Sequence, residues 1–152
     1  MLQNQNKQIH KRVLGVDIGL KRVGLALSDT QKIIASPLEN LIVSQDLIHS
    51  VGVFVAFLEK LPYALEAIVV GLPLKMDGSD STMTSHVRQF VKLLQEKVEI
   101  PVELMDERLS SVQADRSLMS ANFTRKKRAQ FVDRVSAVIM LRCYLDKRSR
   151  NV

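Results

Sequence analysis

A single cysteine, Cys143, stands in a chain of 152 residues, which excludes an internal disulfide and a cysteine-built zinc site. There is no tryptophan and only 5% of the residues are aromatic, too few for the stacking platforms that hold single-stranded bases. His10, His49 and His86 are scattered, so no histidine cluster favours zinc either. No uncharged apolar run reaches the ~18 residues that a transmembrane helix needs. The polar start MLQNQNKQIHKR lacks the apolar stretch of a secretory leader. A cytoplasmic protein with no membrane attachment is therefore expected. What is present is ordinary for a globular chain, with 46% hydrophobic and 25% charged residues. The length suits one compact domain.

Charge is informative once it is located. The chain carries +6 overall, yet Ala121 to Val152 holds nine basic residues against Asp133 and Asp146, a local +7. The other 120 residues thus sum to −1. A basic end on a near-neutral body points to a polyanion, nucleic acid first, although a solvated basic tail has the same composition.

Along the chain, residues 1–10 are polar and aperiodic and read as a flexible extension, residues 11–148 as the folded domain, and 149–152 as a tail. Val13–Ile18 and Val23–Ser28 are apolar runs joined closely enough for a hairpin. Lys32–Leu41, with β-branched residues and Pro37, reads as a third, edge strand. The period then changes. Ser44 can cap a helix built on Leu47, Ile48, Val51, Val55 and Leu58. Ala67–Leu72 reads as a buried strand, and Met83, Val87, Phe90, Val91, Leu94 and Val98 as a second helix. Pro101–Met105 follows as a short strand. Ser110 with Gln113 forms a capping box for a helix toward Leu118, closed at Asn122. The last helix runs from about Lys126 to Asp146. The methionines read as core filler. The order β-β-β-α-β-α-β-α-α predicts an α/β protein, a five-stranded mixed sheet with helices on both faces. It matches the ribonuclease H-like fold, which implies the strand order 3-2-1-4-5.

Three carboxylates stand where they are costly. Asp17 lies inside the apolar run VLGVDIG, between Gly15 and Gly19, where an ionised carboxylate needs a pair, hydrogen bonds or a metal. It could cap an amide or bond Arg22; as a functional group it would be a metal ligand on the central strand. Asp106 and Glu107 fall at the end of the last strand, where open α/β sheets bind ligands. Adjacent residues on extended chain point to opposite faces, so one of them faces the site. Glu107 is the choice for its longer arm, with Asp106 turned away toward local amides or Arg108. Asp133 lies near the start of the final helix, where the helix dipole, Arg134 or Arg128 could account for it. The small residues Ser136 and Ala137 let that helix approach the sheet and bring Asp133 beside Asp17. Such hard oxygen ligands suit Mg²⁺ or Mn²⁺. Two ions ~4 Å apart would serve in-line attack on a phosphodiester. The loop Gly71–Ser79 precedes a helix, a position suited to phosphate, though an Asp-Gly turn followed by a serine cap explains it equally.

These residues resemble the YqgF/RuvX-like family of ribonuclease H-fold nucleases. The matching stretches are Gly15-Val16-Asp17-Ile18-Gly19 with Arg22, Gly24 and Ala26, and Val69-Val70-Gly71-Leu72-Pro73 with Asp77-Gly78-Ser79. Asp106-Glu107-Arg108 with Ser110-Ser111 comes next, then Arg125-Lys126-Lys127-Arg128, then Asp133 with Ser136-Ala137. The resemblance implies a metal-dependent hydrolase, an endonuclease of 5′-end maturation of precursor 16S ribosomal RNA, with Asp17, Glu107 and Asp133 as catalytic acids and metal ligands. Many relatives of this fold use a fourth carboxylate, which has no counterpart here. The family also looks like the RuvC resolvases, which implies a Holliday junction resolvase as the alternative.

Lys126, Lys127 and Arg128, with Arg125 and Arg108, are the expected grip on a nucleic-acid backbone, and Lys21 and Arg22 reach it from the hairpin. The partners expected are structured precursor ribosomal RNA, branched DNA for a resolvase, and ribosomal particles, for a monomer or a homodimer. A resolvase would need a two-fold dimer for its paired cuts. A basic, non-catalytic nucleic-acid-binding factor is the reading from another class. Asp17-Ile18-Gly19 also resembles the phosphate turn of actin-like ATPases, but those enclose nucleotide between two such domains.

Overall fold

The computed structural model describes residues 10–109 and 125–150, the side chains of 125–134 excepted. The elements are β1 (Arg12–Ile18), β2 (Arg22–Ser28), β3 (Ala35–Pro37), β4 (Leu41–Ile42), α1 (Leu47–Lys60), β5 (Leu65–Leu72), α2 (Thr82–Gln95), β6 (Val102–Asp106), a 3-10 turn (Glu107–Leu109) and α3 (Arg125–Arg150). The sheet runs β3-β2-β1-β5-β6, with β4 also on β2. β1 and β2 are antiparallel, whereas β5 and β6 run parallel to β1.

The expected sheet has five strands, and this one has six. The stretch read as one strand, Lys32–Leu41, is two short ones that both pair β2. Lys32 sits at φ 59, in a turn whose amides at Ile33 and Ile34 donate to Asp29 Oδ1, so pairing starts only at Ala35. Pro37, without an N–H, ends the first piece. The cap of α1 also differs: Asp46, two residues past Ser44, accepts from Ile48 N and His49 N. The last helix continues beyond Asp146 to Arg150. The helix expected between Ser110 and Leu118, and residues 1–9 of the N-terminal extension, lie outside the described residues.

Strand alternation sorts the core into two layers. Leu14, Val16, Ile18, Leu25, Ile68 and Val70 point to one face and meet Val51 and Phe54 of α1 and Val87, Phe90 and Leu94 of α2. Phe54 and Phe90 pack edge to face, centroids 5.7 Å apart. Val13, Ala26, Ala67, Val69 and Met105 point to the other face, against Ala137, Met140, Leu141 and Leu145 of α3. That second face is built from smaller residues, and the helix lies close on it. A Cβ on Gly15 would stand 2.8 Å from Leu141 Cβ and 3.3 Å from the Ala137 carbonyl. Neither atom can swing away, so Gly15→Ala must lift α3 off β1. We expect it to cost ~1–3 kcal/mol in a urea unfolding experiment.

Two contacts at the far end set the course of α3. Arg148 Nη1 donates to Glu66 at 2.6 Å, and Tyr144 Oη donates to Glu103 at 2.7 Å. Burial, reinforced by the Glu103 hydrogen bond, pushes the Tyr144 phenol up to about 12. The folded protein thus holds a proton that the unfolded chain releases near pH ~10. This contribution is complete below that pH and is lost as pH rises toward about 12. Tyr144→Phe should flatten the alkaline limb of a stability-against-pH curve.

Candidate active site at the carboxyl ends of the central strands

The parallel register brings Val16 beside Val70, so the next residue along each strand, Asp17 and Gly71, are neighbours. Asp17 shares the parity of Val13 and Gly15, the face covered by α3, and is half-buried. Gly71 shares the parity of Ala67 and Val69 on the same face. On its other side, Gly71 pairs Met105 and Leu72 pairs Asp106.

Glu107 leaves the end of β6 and lies back over Gly71. A Cβ built there would stand 2.6 Å from Glu107 Oε1, 3.2 Å from Glu107 Cγ and 2.8 Å from Met140 Sδ. The missing side chain of Gly71 is therefore the space that the Glu107 arm occupies, one strand (~4.8 Å) from Asp17. Asp106 faces the other way. Its carboxylate accepts from Arg108 N at 2.9 Å and from the Arg108 guanidinium, Nε at 3.1 Å and Nη2 at 2.7 Å. The hydrogen bond from Arg108 holds the Asp106 carboxyl below its usual range, and Arg108 is raised in turn.

Position 133 is placed by the backbone of α3. Met140 lies over Gly71 at the carboxyl end of β5, and Arg148 reaches Glu66 at its amino end. The helix therefore runs opposite to β5, with its N-terminal turns at the carboxyl ends of the strands. From Ala137 beside Gly15, one helical turn back to position 133 advances ~6 Å. From Gly15 to Asp17 is a step of ~6.6 Å in the same direction. The Asp133 side chain lies outside the described residues, as do those of Arg125, Lys126, Lys127 and Arg128, although their backbone forms the first turns of α3. Among the described residues, no three Asp, Glu, His or Cys side chains gather as a metal cluster. The donor set at the strand ends is nonetheless all oxygen and fits a hard divalent cation rather than zinc.

Among the expected cations, Lys21 is exposed in the β1–β2 turn. Arg22 is half-buried and, by strand parity, on the Asp17 side, opposite Gly19, whose N–H donates to its carbonyl at 2.9 Å. Asp17, Arg22, Glu107 and Ser136 all have partners. Arg108 stands across the 73–80 loop, where Nη1 donates to the Met76 carbonyl at 3.3 Å. In that loop, the side-chain hydrogen bond from Ser79 keeps the Asp77 carboxyl low. Ser81 caps α2 in a reciprocal box with Thr84. Met76, expected in the core with the other methionines, is 81% exposed at the loop tip. Reading the sequence alone missed the cradle role of Gly71. Its signal was a glycine inside a buried strand where no turn requires one.

The chain thus has a ribonuclease H-like sheet with Asp17 and Glu107 at the carboxyl ends of parallel strands. The family profile described as "RuvX: Holliday junction resolvase" matches residues 11–147, and the chain belongs to that family. A protein of Protochlamydia amoebophila named "Putative pre-16S rRNA nuclease" is 44% identical over 148 residues, covering 95% of this chain and 99% of the relative. One of the same name from Koribacter versatilis is 37% identical, covering 92% of this chain and 90% of that protein. Among solved structures, Thermus thermophilus RuvC in complex with a Holliday junction substrate superposes with a TM-score of 0.54. It is 16% identical, and the match covers 94% of this chain and 98% of that one, a likeness of fold.

Proposed function

We propose that this chain is a divalent-metal-dependent endonuclease that hydrolyses phosphodiester bonds in the 5′-end maturation of precursor 16S ribosomal RNA. The carrying observation is the Glu107 arm laid over Gly71, beside Asp17 on the same sheet face. The naming of relatives up to 44% identical supports the substrate. No helix among the described residues is long and apolar enough to cross a membrane, which agrees with work in the cytoplasm on free precursor or on ribosomal particles.

Asp17, Glu107 and Asp133 would hold Mg²⁺ or Mn²⁺, as one ion or a pair. When bound there, the metal supplies Lewis-acid stabilisation of charge on the phosphodiester and its attacking and leaving oxygens. The chain's own part is rigidity and position. Asp17 comes from a central strand paired on both sides, so its place varies little. Glu107 is seated in the Gly71 space with Met140 behind it, which limits its rotamers. The α3 helix would bring Asp133, and its first turns the basic run Arg125–Arg128, to the same end of the sheet.

Lys126, Lys127 and Arg128 would grip the backbone, with Lys21 and Arg22 on the hairpin side. With ~5 phosphate contacts, the logarithm of RNA affinity should fall against the logarithm of salt with a slope of about −4. Replacing Lys126, Lys127 and Arg128 by alanine should reduce that slope to about −2, while an unchanged slope would remove these residues from the grip.

The family description and the RuvC-like fold favour a second reading, a Holliday junction resolvase. Incubation with Mg²⁺ or Mn²⁺, comparing precursor 16S RNA with a four-way DNA junction, decides between them. RNA cut at discrete sites, with the junction left whole, is the expected result. Symmetric cuts across the junction with RNA intact would overturn the proposal in favour of the resolvase.

A further inference from the structure

We propose that Arg108 is a positioning residue: it pins the 74–80 loop to the carboxyl end of β6 and so holds Glu107 over Gly71. The inference rests on the nuclease reading above and deepens it.

The guanidinium is engaged on three sides. Nε lies 3.1 Å from each Asp106 oxygen, Nη2 donates to Oδ2 at 2.7 Å, and Nη1 donates to the Met76 carbonyl at 3.3 Å. Its two terminal nitrogens stand against Gly78, where a Cβ would come 3.4 Å from Nη1 and 3.8 Å from Nη2. Gly78 also sits at φ 87, a conformation that favours glycine. The loop owes its shape to its own bonds. Lys75 N donates to the Ser79 carbonyl at 3.0 Å, Gly78 N to the Lys75 carbonyl at 2.8 Å, and Ser79 N to Asp77 Oδ1 at 2.9 Å. Those bonds do not fix where the loop sits relative to β6, whereas the bond from Arg108 to Met76 does.

The consequence for Glu107 follows from its place between the two clamped residues. Asp106 and Arg108 are joined on one side of the chain by a two-point ion pair and by the amide bond to Asp106 Oδ1. With both neighbours tied on that side, the side chain of Glu107 is turned to the opposite side, toward α3 and Gly71. A lysine cannot reproduce the arrangement, because it lacks the planar fork that bonds a carboxylate and a carbonyl together.

The test uses the full chain with Arg108→Lys, Arg108→Ala and Asp106→Asn. Steady-state cleavage of precursor RNA, RNA affinity against salt, and the rate of tryptic cutting after Lys75 are measured for each. Positioning predicts that both Arg108 variants lower kcat about tenfold or more with KM and the salt slope unchanged, lysine no better than alanine. It also predicts about tenfold faster cutting after Lys75, with Asp106→Asn moving both readouts the same way. A phosphate-gripping arginine predicts otherwise. Lysine would then rescue, alanine would raise KM and remove about one unit of salt slope, and Asp106→Asn would tighten RNA binding. Those results, or an unchanged tryptic rate, would overturn the proposal. Should the wild type cut no RNA, the nuclease reading fails, and the Lys75 cutting rates still decide whether Arg108 pins the loop.

Discussion

Asp17→Asn is expected to lower cleavage by about three orders of magnitude or more, ~4 kcal/mol of transition-state stabilisation, while leaving RNA affinity within about twofold. The substitution is nearly isosteric, on a strand paired to β2 and β5, so the fold should hold. What it removes is a negative oxygen at the centre of an oxygen-only donor set, and Asn is a poorer ligand for a hard cation. The basic run on α3 is untouched, which is why binding and turnover should separate. Single-turnover kinetics beside a filter-binding titration checks both halves. Loss of binding together with cleavage would mean that Asp17 acts through structure.

The second large effect is expected from a single methyl group. In Gly71→Ala, the new Cβ would lie 2.6 Å from Glu107 Oε1 and 2.8 Å from Met140 Sδ. Both are free ends of flexible side chains, so the fold can yield at a cost of ~1 kcal/mol or less. The Glu107 carboxylate, however, has to leave its place. Displacing a reacting group by ~1 Å can cost about a hundredfold in rate. We therefore expect a loss of that order in kcat with the thermal midpoint nearly unchanged. Gly15→Ala should do the reverse, because its Cβ meets Leu141 Cβ and the Ala137 carbonyl, which cannot move without the helix. A Gly71→Ala protein with full activity would show that Glu107 need not occupy the cradle.

The facing of the strand-end residues was legible because strand parity is a local property. Alternation puts Glu107 and Asp106 on opposite faces, the longer arm chose between them, and the structure has Asp106 on Arg108 and Glu107 over Gly71. An acid between glycines inside an apolar run likewise marked Asp17. The mixed character of the sheet also followed from the change of period along the chain, hairpin strands first and helix-linked strands after. What could not be read depends on contacts between distant segments or on competing local hydrogen bonds. Arg108 reads as one more cation until Met76, far back in sequence, is seen to accept from it. The late start of β3 depends on a left-handed Lys32 and on two amides captured by Asp29, a competition that β-propensity does not register. Asp46 takes the cap of α1 from Ser44 because its carboxylate reaches two helix amides. The exposure of Met76 follows from a loop held by hydrogen bonds rather than by apolar burial.

The central claim is that the carboxylates at the strand ends hold a divalent metal. Calorimetric titration of Mn²⁺ into the wild type, Asp17→Asn, Glu107→Gln and Glu59→Gln tests it without any assumption about substrate. Wild type and Glu59→Gln, a change at an exposed carboxylate of α1 on the opposite sheet face, should bind with affinities within a few fold of each other, and the other two at least about tenfold more weakly. Equal binding by all four proteins would contradict the account.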